Sequence, residues 1–225
     1  MSAIGAVVAL LIAAAVPMLT TGIPAAHAGV SDCTGTPENP IYPNHDSSKV
    51  LSTYDNPTAG EVLIRHGFYC VPESAKGNPA KEAAAGFGFG LDKVHNRHYI
   101  GRQEDGWHQA EAIKAVKFVL SAPGSNVTTK TDDWGFGWNF HVWARGGTDC
   151  AVPGKVETCK NQVDVPVIGA STEGGDDHEP GGGMPAGDPL GLQTVYCDYG
   201  DVTRLRCEIW VTAALIKGAD GQHIN

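Results

Sequence analysis

Six cysteines, Cys33, Cys70, Cys150, Cys159, Cys197 and Cys207, all fall after an uncharged apolar leader, and their number is even. In an exported chain that pattern favours disulfides over free thiols. Six cysteines allow fifteen pairings. Closeness in sequence selects Cys33–Cys70, Cys150–Cys159 and Cys197–Cys207. A bridge closing a loop of this size contributes about 2–4 kcal/mol, largely by restricting the unfolded chain. No C-x-x-C occurs, which weighs against a zinc site. The export reading rests on residues 1–28. An apolar run from Ile4 to Leu19 ends in the small-x-small sequence Ala26-His27-Ala28, which predicts cleavage after Ala28. Pro17 and Thr20-Thr21 cut that run short of the ~20 residues that span a bilayer. The expected product is secreted and extracellular, with no membrane association after processing.

The chain has 225 residues and a net charge of −9, and the leader contributes none of that charge. The mature part is long enough for one domain with a true core. Its acidity argues against non-specific adhesion to DNA or anionic membranes. A small cationic cleft on an acidic surface remains open, because the local field governs what a cleft attracts.

Three segments follow from composition and periodicity. Residues 1–28 form the signal peptide. Residues 29–85 read as an N-terminal arm held by Cys33, extended over 29–60 and briefly helical before Gly86. Residues 86–225 read as the core domain. Within it, Asp92, Val94, His95, His98 and Tyr99 have helical spacing, and a second helix is expected from Trp107 to Leu120, stopped by Pro123 and Gly124. After Ser125 the period changes to two. Strands are expected within 126–147, 156–171, 192–199 and 205–215. The acidic, glycine-rich stretch before Leu190 reads as a loop. Two helices followed by four strands predict an α+β fold, with two helices packed on a four-stranded antiparallel sheet, stapled by disulfides and preceded by the extended arm.

The candidate chemistry gathers in "LDKVHNRH", residues 91–98. On a helix, His95 and His98 share a face with Asp92, and Lys93 and Arg97 lie side by side at i,i+4. Two like charges so placed repel, and a bound anion removes the penalty. The pattern sets a proton carrier, His98, beside phosphate-binding cations, Lys93 and Arg97. His108 opens the second helix, where the dipole favours the neutral imidazole base. His141 lies mid-strand, with Arg145 on the same face as an anion contact. Ser171 and Thr172 end a strand and offer hydroxyl donors. His95 with His98 forms a possible metal pair, but the adjacent Glu and the i,i+4 spacing of zinc hydrolase helices are missing, and neither a metal nor another cofactor is expected. No Gly-x-Ser-x-Gly elbow and no phosphate loop occurs.

"GFGFGLDKVHNRH", a second helix, "NVTTKT" and "TVYCDYGDVTRLRCEIWV" recur in that order in a family this sequence resembles. The family comprises small secreted actinobacterial proteins and the toxin tips of polymorphic toxins, similar to the barnase–EndoU–colicin–RelE ribonuclease fold group. The likeness spans about residues 86–213. It implies a metal-independent ribonuclease toxin, with Lys93, Arg97 and His98 at active helix positions. Partners would be RNA and a cognate inhibitor protein. In this reading His98 acts as base or acid, His108 or His141 is the second proton carrier, and Lys93, Arg97 and Arg145 contact phosphate. Two other functions fit the composition: a non-enzymatic secreted domain that binds a partner or cell surface, and a secreted metal-binding protein.

Overall fold

The computed structural model describes residues 34–36, 39–41, 47–103, 106–132, 135–152, 158–173, 189–201 and 206–219. The leader, Cys33 and most of the acidic glycine-rich stretch lie outside the described residues. In chain order the strands and helices are β1 (Thr34–Thr36), β2 (Asn39–Ile41), β3 (Val50–Asn56), β4 (Gly60–Arg65), β5 (Phe68–Cys70), α1 (Pro79–Ala85), β6 (Phe87–Phe89) and α2 (Gly90–His98). They continue with β7 (Arg102–Gln103), β8 (Gly106–Trp107), α3 (Gln109–Leu120), β9 (Val127–Asp132), β10 (Gly135–Cys150), β11 (Cys159–Thr172), β12 (Gly191–Cys197) and α4 (Ile209–Ala219). The fold is α+β, and its main sheet is a four-stranded antiparallel meander in the order β12-β11-β10-β9. The described residues contain no helix long and apolar enough to cross a membrane.

Two expectations need correction. The segment 205–215 is not a fourth strand, because α4 begins at Ile209. The sheet still has four strands because the stretch after Ser125 folds back at Gly135 into two, β9 and β10. The second correction is the helix count: four α-helices occur among the described residues, not two. Helices α3 and α4 cover one face of the sheet. At Gly169 of β11 an added Cβ would lie 2.8 Å from Val119 of α3, and at Gly146 of β10 it would lie 2.8 Å from the Trp210 ring of α4. Phe140, Val167, Leu192 and Val195 point the same way and join Val116, Val119, Val211 and Leu215 in the main core. In α3 the buried positions Ala112, Ala115, Val116 and Val119 repeat at helical spacing, so one stripe of that helix is sequestered.

Helix α2 runs along the β12 side. Its Leu91 and Val94 enter the main core, while Lys93 and His98 turn to the opposite face of the sheet. Tyr99, left-handed at φ 61°, ends the helix and donates its N–H to His95 O. The sequence places an arm at 29–85. Inside it, Val62 and Ile64 of β4 belong to the same core cluster as α2 and α3. Asn56 fixes that hairpin: its side-chain oxygen accepts from Thr58 N and Ala59 N, and its amide donates to Leu120 O at 2.7 Å and Ala122 O at 3.2 Å. Those carbonyls sit at the end of α3, where no intrahelical donor remains. Asn56→Ala is expected to lower unfolding stability by about 2–4 kcal/mol, because two buried acceptors lose their donor. Urea denaturation checks this, and a loss below about 0.5 kcal/mol would show that the amide is dispensable.

The pairing Cys197–Cys207 selected from the sequence is present. Cys70 and Cys159 are also disulfide-bonded. The sheet register sets Cys150 directly across from Cys159, whereas Cys33 lies outside the described residues.

Candidate functional site

The β-register assembles the site on the sheet face that α3 and α4 leave open. Lys130 of β9 pairs with Gly137 of β10, which pairs with Thr172 of β11, so Lys130 and Thr172 share that face. Lys130 Nζ donates to Asp132 Oδ2 at 2.7 Å, Thr172 Oγ1 at 3.2 Å and Gln193 Oε1 at 2.7 Å. Gln193 reaches this row because the β11–β12 register shifts between Ala170 and Ser171, which leaves Gln193 as the extra residue of a bulge. Thr194 follows, paired with Ala170, and its Oγ1 is buried with no hydrogen-bond partner among the described residues. An unsatisfied buried hydroxyl costs roughly 1–3 kcal/mol, so its persistence needs a reason.

Lys93 enters the same region from α2. The residue is 9% exposed. Burial pushes its ammonium down to about 7, the nearby charges of Arg97 and Lys130 push the same way, and Asp132 opposes them. The buried lysine is therefore an amine that gains and loses its proton near neutrality. One turn on, the Arg97 guanidinium donates to Gly86 O at 3.0 Å and lies 6.0 Å from the Tyr69 ring centroid. His98, 6% exposed, has its ring 5.7 Å from that of Tyr196 on β12. Burial raises the Tyr196 phenol, and the charge of Asp198 adds to that.

The sequence-predicted residues thus divide. Lys93, Arg97 and His98 gather beside the open face. His141 is half-buried on that face, in the register row of Ile168 and Tyr196. It sits four residues from Gly137, about 13 Å along the strand from the Lys130 row. Arg145 is eight residues from Gly137, about 27 Å away, and is ion-paired with Asp164 at 3.6 Å. It is exposed and does not share the space around Lys93. His108 is exposed and precedes α3, the helix on the covered face. His95 stacks near Trp107, with ring centroids 4.4 Å apart. Ser171 points to the covered face while Thr172 meets Lys130.

Sequence reasoning missed Lys130, Asp132, Gln193 and Thr194. The alternation in "VTTKTD" placed Lys130 and Asp132 on one side of a strand, but nothing local showed which side met α2. Among the described residues no three His, Cys, Asp or Glu side chains group to hold a metal ion. Asp176, Asp177, His178 and Glu179 lie outside the described residues. No family model matches the chain, and no curated protein or solved structure matches it either.

Proposed function

We propose that this protein is an exported, metal-independent ribonuclease that cleaves RNA by attack of the ribose 2′-OH on the adjacent phosphate. The observation that supports this best is the convergence of Lys93 and Lys130 at the row of Gln193, where the next residue, Thr194, keeps an unpartnered hydroxyl. One cation, Lys130, and a vacant donor, Thr194, can receive one phosphate group, and Lys93 sets a titratable amine beside them. In the reaction the 2′-oxygen bonds to phosphorus and the bond from phosphorus to the 5′-oxygen breaks. Neutral Lys93 takes the 2′-OH proton, and His98 returns a proton to the departing 5′-oxygen. Lys130, whose three donors go to Asp132, Thr172 and Gln193, adds its positive charge to the field at the non-bridging oxygens, and the Thr194 hydroxyl donates to one of them, an effect worth about 3–4 kcal/mol for a well-placed donor. His141, on the same face, contacts the neighbouring nucleotide.

The test is incubation of the oxidised protein with RNA in EDTA. The expected result is fragments ending in cyclic 2′,3′-phosphate. Intact RNA at high protein concentration would refute the enzymatic reading and leave a secreted binding domain.

A further inference from the structure

A concave site lies away from Lys93, where β10 and β11 run on past their neighbours. Strand β12 pairs with β11 only over Val167–Thr172. Asp198 N closes that ladder by donating to Pro166 O at 2.9 Å. Strand β10 continues to pair with β11 as far as Cys150 and Cys159. Successive residues of a strand send their backbone groups to alternate sides. The N–H and C=O of Asp164 and Gln162 therefore face the same outer edge as Pro166 O, where no described strand stands. Val163, between them, is 52% exposed. An unpaired strand edge of this kind is a template for another chain.

Next to that edge is a cavity of about 740 Å³, walled by Val163, Asp164, Asp198, Tyr199, Glu208 and Trp210. Its chemistry is one-sided: Asp198, Glu208 and two aromatic rings line it, while the Asp164 side chain pairs with Arg145 on the other face of the sheet. Asp198 accepts from Gly200 N at 3.0 Å, and Glu208 accepts from the Trp210 indole and so is held in place. Asp198 has about four acceptor positions, so capacity remains beside the one that Gly200 N takes. Carboxylates beside a Trp face suit a guanidinium or ammonium, which gains from both.

We propose that the β11 edge and this cavity together dock an extended polypeptide that presents an Arg or Lys side chain. The strand edge supplies main-chain hydrogen bonds, and the cavity supplies the charge selection. Both features are needed. A free amine would use only the cavity, and an acidic peptide would be repelled from it.

The experiment uses the full oxidised chain and the probe acetyl-Val-Arg-Val-Arg-Val-Arg-amide, whose arginines fall on one face when extended. Calorimetry and amide shift mapping read the binding. The expected result is shifts at Gln162–Val165 and at Trp210. The Asp198→Asn/Glu208→Gln double variant should bind on the order of 10-fold more weakly, since a tenfold change corresponds to 1.4 kcal/mol. A peptide N-methylated at alternate residues should weaken by a similar factor, because it cannot complete the ladder. Unchanged binding by either, arginine amide binding as tightly as the peptide, or no binding at millimolar peptide would overturn the proposal. Gln keeps an acceptor for the Trp210 indole, so the variant retains its local packing; thermal melts of the variant check this.

Discussion

Lys93→Met is expected to lower RNA cleavage at least about 100-fold and at the same time to make the protein more stable below pH 7. The two effects have one cause. Lys93 is buried, and its ammonium is held down to about 7 first by desolvation and then by Arg97 and Lys130. Its ordinary value, about 10.4, applies to the unfolded chain. Between pH 7 and pH 10 the unfolded chain therefore binds more protons than the folded one, and stability rises with pH there. Below pH 7 both states are charged, and the folded state carries the full cost of a buried cation. Methionine has a similar length and no charge, so it removes that cost. Asp132 keeps its bond to Lys130 in the variant. Urea titrations should show a wild-type slope of up to about 1.4 kcal/mol per pH unit above neutrality, absent in Lys93→Met. Wild-type cleavage should rise through pH 7 as the amine deprotonates. A fully active Lys93→Met would eliminate the base assignment. Parallel stability profiles would show that another group titrates.

Much of the local structure was written in local pattern. The α3 helix was legible because Ala112, Val116 and Val119 repeat at its period and Pro123 follows. The α2 spacing was equally plain. The strand misreading at 205–215 has a physical source. Ile209, Trp210 and Val211 favour strands by themselves, and Arg206 and Glu208 alternate with Leu205, Cys207 and Ile209 at the period of a strand. Burial of Val211, Ala214 and Leu215 against α3 and the sheet decides for the helix. The site was half legible. Lys93, Arg97 and His98 lie within six residues and declare themselves. Lys130, Gln193 and Thr194 join them through three strand registers and one bulge, and no short-range pattern encodes a register. Arg145 shows the converse. Its alternation with His141 is real, but strand length carries it out of reach of the other cations.

Removal of the Cys197–Cys207 bridge by the double Cys→Ala substitution should cost about 3 kcal/mol and abolish most cleavage. The stability part follows from loop closure, since the two cysteines are ten residues apart. For a domain of this size it corresponds to a melting temperature lower by roughly 6–12 °C. The catalytic part follows from where the bridge ends. Cys197 closes β12, next to Tyr196, whose ring lies against His98. Cys207 N donates to His98 O at 2.9 Å, which satisfies a carbonyl in the last turn of α2. The bridge thus clamps both sides of the histidine, from the strand beneath it and from its own backbone. Freed from the bridge, Cys207 no longer ties the end of α2 to β12, and the distance from His98 to Lys130 is no longer set. The discriminating measurement is cleavage at 15 °C, where the variant remains folded. A folded variant with wild-type cleavage would show that the bridge only stabilises the chain. A folded variant with lost cleavage, and with His98 ring resonances broadened relative to wild type, would place the bridge among the devices that hold the site in register.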